Sequence, residues 1–124
     1  MIQCDLKQCA YLGDAVWELF VREICITKAK TQKAMHNFST RYVNASFQAH
    51  LLECVVESFN DEEKELLRRG RNLKISINKR SNPRIHSLAT AFEVLVGYFY
   101  LYDKNRLYDF FEIVKKYLNQ PQQV

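Results

Sequence analysis

Apolar residues recur along nearly the whole chain at helical rather than alternating spacing, and that period limits the molecule to helix packed on helix. In the first long segment Leu12, Val16, Leu19, Phe20 and Ile24 form the stripe, and a helix is expected over residues 5–27. A polar, basic stretch follows, then a short helix near 34–37. Ser39 or Thr40 is placed to cap the next helix, whose stripe is Val43, Phe47, Leu51 and Val55. Asn60 precedes Glu63 by three positions, with acids in the first turn, so another helix starts there and is expected to stop near Gly70. From Asn72 to Pro83 no clean period appears, and Pro83 disfavours helix at Asn82, which gives a basic loop. Two further stripes complete the chain: Leu88, Phe92, Leu95, Val96 and Phe99, running to about 102, and then Leu107, Phe110, Phe111, Val114 and Leu118. Residues 119–124 are expected to fray. No internal repeat, strand-like alternation or hairpin signal is present. With 124 residues and only three glycines and two prolines, the expectation is one all-α domain with its core over 5–118.

No run of about 18 apolar residues is available to cross a bilayer, and the N-terminus lacks the basic and apolar regions of a secretory signal, so a cytoplasmic protein is expected. Cys4, Cys9, Cys25 and Cys54 are irregularly spaced with no Cys-x-x-Cys pair, which favours free thiols over disulfides or a zinc site. The net charge of +4 is modest but unevenly distributed. No carboxylate occurs from Leu66 to Phe92, where Arg68, Arg69, Arg71, Lys74, Lys79, Arg80 and Arg84 fall, and none lies between Glu23 and Glu53. Such segments suit a polyanion, although charge runs also serve as solvated surface.

Two acids stand out against this background. Asp14 shares a helix face with Tyr11, Glu18 and Arg22, roughly opposite the Leu12, Val16, Leu19 stripe, and follows Gly13. A glycine inside a helix costs about 1 kcal/mol relative to alanine, so a close approach by another backbone or a ligand would account for it. Glu93 shares a face with His86, Thr90 and Gly97 and is the first carboxylate after the long basic segment. Taken singly, each acid reads as solvated surface. Taken together, two acids on separate helices, each near a helical glycine and flanked by positive charge, suit Mg²⁺, which takes one or two carboxylates and leaves its other positions to water and phosphate. His36, His50 and His86 share no ligand spacing, and Trp17 and the other aromatics read as core or subunit interface.

Tyr11-Leu12-Gly13-Asp14-Ala15-Val16-Trp17-Glu18 resembles the Leu-Gly-Asp-Ala-Val signature of the ribonuclease III endonuclease domain, and Thr90-Ala91-Phe92-Glu93-Val94-Leu95-Val96-Gly97-Tyr98 resembles that family's second motif. Arg68-Arg69-Gly70-Arg71-Asn72 and Thr40-Arg41-Tyr42-Val43-Asn44-Ala45 are similar to stretches of its smaller branch, Mini-ribonuclease III. The resemblance spans residues 11–101. It implies that Asp14 and Glu93 are the essential metal-binding acids, with Mg²⁺ as the cofactor and Mn²⁺ as a substitute. The larger enzymes have further glutamates where this chain has Lys7 and Ala10, and an aspartate where it has Thr90. These departures match the smaller branch and leave fewer protein ligands.

The resemblance further implies a homodimeric helical bundle that cuts double-stranded RNA by hydrolysis, giving 5′-phosphate and 3′-hydroxyl ends. Its implied substrate is the precursor of bacterial large-subunit (23S) ribosomal RNA, with a ribosomal protein as a possible helper. No double-stranded RNA-binding domain is expected after the last helix, so the grip on RNA is expected from Arg68, Arg69, Arg71, Asn72, Lys74, Lys79, Arg80 and Arg84. Outer-shell help from Glu18, Asp5 or His86 is left open. The rival readings are a non-catalytic RNA-binding module, whose acids merely balance arginines, and a helical protein-interaction domain without an RNA role.

Overall fold

Asp5 starts the first helix by accepting hydrogen bonds from the backbone N–H groups of Lys7 and Gln8, at 2.9 and 3.3 Å. The computed structural model describes residues 4–73 and 82–118. Its elements, in chain order, are α1 (Leu6–Cys25), α2 (Gln32–Tyr42), α3 (Ala45–Val55), a 3₁₀ turn (Val56–Ser58), α4 (Asp61–Arg71), α5 (Pro83–Tyr102) and α6 (Lys104–Leu118). No strand occurs among the described residues, and the all-α expectation holds.

Local chemistry explains most of these boundaries. Asn60 and Glu63 form the reciprocal capping box expected at the start of α4, with Asn60 accepting from Glu63 N at 2.8 Å and Glu63 accepting from Asn60 N at 3.1 Å. Asn82 caps α5, and Pro83 occupies its first position, where a missing N–H costs nothing. Three boundary expectations differ. The second helix is 11 residues rather than four, because Thr31 caps it by accepting from Ala34 N at 3.1 Å. Ser39 and Thr40 lie inside it, and the cap of α3 is Asn44, which accepts from Phe47 N at 2.8 Å. Gly70 does not end α4 in a left-handed turn, since no glycine among the described residues has positive φ and the helix runs on to Arg71. Its role is packing: a Cβ there would stand 3.0 Å from Ala91 Cα.

The core is organised around α5, which packs against α1, α3, α4 and α6 and is buried nearly all round. Leu88, Phe92, Leu95, Val96 and Phe99 are all inside, as expected. On α1 the buried face is Cys9, Gly13, Trp17, Phe20 and Val21. The expected Leu12, Val16, Leu19 stripe is its flank, and Leu19 is 60% exposed. The Trp17 indole meets Phe92 edge to face at 5.0 Å and donates to the Tyr42 carbonyl at 2.9 Å, which ties α1 to the end of α2.

Arg106 on α6 closes the far end of the molecule. Its guanidinium donates to both carboxylate oxygens of Glu63, at 2.7 and 3.0 Å, and to the Ser58 carbonyl at 3.1 Å, while lying over the Phe99 ring. Arg106→Ala leaves the largely buried Glu63 carboxylate without its cation. It is expected to lower unfolding stability at neutral pH by about 2–4 kcal/mol, as measured by denaturant titration, and a loss below about 1 kcal/mol would contradict this role.

Candidate active site

The crossing of α1 and α5 is made by two glycines. A Cβ on Gly13 would lie 2.7 Å from the Glu93 carbonyl carbon, and closer still to its oxygen. A Cβ on Gly97 would meet the Cys9 carbonyl in the same way, 2.7 Å from its carbon. The two backbones therefore touch at a separation no side chain permits, the close approach that a glycine within the α1 segment suggested. Each helix places an acid at this contact. Asp14 follows Gly13 on the exposed side, and Glu93 sits one turn before Gly97 at the edge of the core.

The two carboxyl groups meet and share a hydrogen bond, although 79 positions separate them in the sequence, from Asp14 to Glu93. Burial, and then the bond and the negative charge of Asp14, push the Glu93 carboxyl up to about 8, while the amide of Gln48 on α3 pulls it slightly down. A shallow pocket of about 350 Å³ opens over the pair, lined by Lys7, Ala10, Tyr11, Asp14 and Glu93. Hard carboxylate oxygens, crowded so that one is held protonated, are the donor set of a hard divalent cation, whose charge would let both ionise. No cluster of three or more His, Cys, Asp or Glu occurs among the described residues, so the rest of such a cation's shell falls to water and ligand oxygens.

The other expected residues separate into groups. Arg68, Arg69 and Arg71 lie in the last turns of α4 and Arg84 in the first turn of α5, on the helices either side of the basic loop. Asn72 is the exposed C-cap of α4. Arg68, Arg71 and Arg84 line one depression of about 490 Å³ with Lys64, a cation the sequence reading did not single out. Arg68 is paired with Glu65 and Arg84 with Glu53. This depression shares no lining residue with the acid pocket. Lys74, Lys79 and Arg80 lie outside the described residues, as does the tail 119–124.

Of the candidate helpers, Asp5 caps α1 and Glu18 pairs with Arg22 at 3.8 Å. His86 does not line the acid pocket. Gln48 escaped the sequence reading. It is the one polar side chain on the buried face of α3, among Ala49, Leu51, Leu52 and Val55, a face that the packing of the helix defines.

Residues 7–104 match the ribonuclease III domain family. The chain belongs to that family. Its ribonuclease III domain is similar to the Mini-ribonuclease 3 of Gloeobacter violaceus, with 43% identity over 103 residues spanning 83% of this chain and 76% of that protein. The Mini-ribonuclease 3 of Synechocystis is 38% identical over 106 residues, or 86% of this chain and 74% of the relative. The crystal structure of a protein from Fusobacterium nucleatum superposes with a TM-score of 0.77 at 27% identity, covering 87% of this chain and 88% of that one. The matched segment carries both acids, both glycines of the crossing and Gln48.

Proposed function

We propose how this chain performs the chemistry of its family, endonucleolytic cleavage of double-stranded RNA: Asp14 and Glu93 together hold a divalent cation, Mg²⁺ or Mn²⁺ in its place, beside the scissile phosphate. The observation that carries this reading is the meeting of two distant carboxyl groups on a glycine-made crossing, open to solvent on one side. When bound, the cation supplies Lewis acidity, lowering the pKa of a water and offsetting negative charge on the phosphate. Asp14 would offer its oxygens to such a cation from the exposed side and Glu93 from the inner side. Lys7 and Tyr11, on the pocket rim, are placed to meet the phosphate and ribose of an incoming strand. Attack of water on phosphorus with departure of the 3′ oxygen leaves 5′-phosphate and 3′-hydroxyl ends.

Arg68, Arg69, Arg71, Asn72 and Arg84, with Lys74, Lys79 and Arg80, grip the duplex through phosphates and 2′-hydroxyls, as suits A-form RNA. A homodimer would set two acid pairs against one duplex. Exposed Leu19, Ile26, Tyr102 and Tyr108 leave apolar surface that a second copy could cover. The substrate in this reading is precursor large-subunit ribosomal RNA, with a ribosomal protein as helper. The setting is the cytoplasm, consistent with free cysteines among the described residues and with no described helix long and apolar enough to cross a membrane.

The test is cleavage of a defined RNA duplex by wild type and Asp14→Asn across a magnesium series, with single-stranded RNA and duplex DNA as controls. Cleavage restricted to duplex RNA, dependent on the cation and lost in the variant, supports the reading. Equal cleavage by the variant contradicts it. The grip makes a separate prediction. Arg71→Ala is expected to weaken duplex binding and to reduce the slope of log affinity against log salt by about one, measured by fluorescence anisotropy. An unchanged slope would remove Arg71 from the interface.

A further inference from the structure

Gln48 is 2% exposed, and glutamine is rarely found that deep without a purpose for its amide. Every other buried side chain of α3, namely Ala49, Leu51, Leu52 and Val55, is apolar. The Gln48 side chain reaches the Glu93 carboxyl, yet its Nε2 forms no full hydrogen bond and has no partner among the described residues. A buried donor without an acceptor is costly, so a residue kept in that condition points to an acceptor that is present in the working state. The acceptor at hand is Glu93. A carboxylate that holds a cation through one oxygen keeps acceptor capacity for a donor of this kind, and the buried, unpartnered Gln48 amide lies beside it.

We propose that Gln48 is a positioning residue, whose side-chain amide donates to the ionised Glu93 carboxylate and fixes the orientation in which that carboxylate faces Asp14 and their shared cation. The contact links α3 to the α1–α5 crossing. It gives Glu93, the acid at the edge of the core, a fixed rotamer, while Asp14 remains open to solvent. Hydrogen bonds of this outer kind orient ligands and raise metal affinity without touching the metal. The inference rests on the reading of Asp14 and Glu93 as cation ligands.

Gln48→Met keeps the length and shape of the side chain and removes the donor. Calorimetric titration of the RNA-free protein with Mn²⁺ and with Mg²⁺ is expected to show affinity about 10- to 100-fold weaker than wild type. The metal-free melting temperature should be unchanged or slightly raised, because an unpaired buried donor has been removed. On duplex RNA, kcat should fall at limiting cation and recover as cation is raised, with KM for the duplex little changed. Gln48→Asn keeps the amide but withdraws it by one methylene, and it should also weaken cation binding, which provides the test if the methionine variant does not fold. Cation affinity within twofold of wild type in either folded variant overturns the proposal, as does a lower metal-free melting temperature with unchanged affinity. Glu93→Gln in the same titration separates the two levels. If it binds the cation as wild type does, the ligand assignment itself fails, whereas loss of binding there with normal binding by Gln48→Met overturns only the role of Gln48.

Discussion

Glu93→Gln is expected to lower duplex-RNA cleavage by about 10³-fold or more while leaving the fold intact, the effect of withdrawing several kcal/mol of metal-dependent transition-state stabilisation. The fold should survive because the amide resembles the protonated carboxyl that the metal-free site already favours, with burial and Asp14 pushing Glu93 up to about 8. The linkage has a definite sign. Since the folded pKa lies above the ordinary carboxylate value, metal-free wild type should lose stability progressively as pH rises from about 4.5 to about 8. Glu93→Gln should lack that loss, and added Mg²⁺ should reverse it in wild type alone. Thermal unfolding in chelator and in magnesium, at pH values spanning this range, reads both effects beside the cleavage assay. A variant that unfolds, or that cleaves within tenfold of wild type, would be inconsistent with a ligand held in this environment.

Gly97→Ala should be a severely damaging addition of a single methyl. Its Cβ would land against the Cys9 carbonyl, 3.0 Å from Cys9 Cα and closer to the carbonyl atoms, and the obstacle is backbone in the middle of a helix, not the end of a flexible side chain. Either α1 lifts off α5 or the protein does not fold. A destabilisation above about 3 kcal/mol is expected, beyond the usual cost of overpacking. Gly13→Ala should behave alike, because its Cβ meets the Glu93 carbonyl. Where either variant still folds, the displacement of α1 parts Asp14 from Glu93, so cleavage should fall further than the melting temperature explains. Gly70→Ala provides the comparison. Its Cβ would meet Ala91 Cα at 3.0 Å and side-chain atoms at 3.4 Å, so a smaller loss is expected, with the acid pair undisturbed. Denaturant unfolding of the three variants ranks them, and equal stability of Gly97→Ala and wild type would disprove the tight crossing.

The two acids of the proposed site were legible in the sequence because each left a local mark. Asp14 and Glu93 each lie near a glycine set within a helical pattern, and the ribonuclease III resemblance joins the two marks into one site. The helices were legible from their apolar period, and their ends from Asn60 with Glu63 and from Pro83. What periodicity does not fix is which side of a broad apolar band meets a neighbour. The face of α1 was set by where Gly13 allows α5 to approach, and Leu19 lost its expected place inside. The length of α2 was hidden for a different reason, since Tyr42 is its one buried residue and no stripe marks its course. Gly70 looked like a helix stop because its contact with Ala91 is tertiary. Gln48 was missed because a polar residue among apolar ones in a helix is ordinarily solvent-facing, and only the packing of α3 on α5 turns it inward.

The most direct test is anomalous diffraction from crystals of the protein grown or soaked with Mn²⁺. A single strong peak between the carboxylates of Asp14 and Glu93, about 2.1 Å from an oxygen of each, is the expected result. Manganese bound elsewhere, with these two side chains still hydrogen-bonded to one another and carrying no metal, would contradict the account.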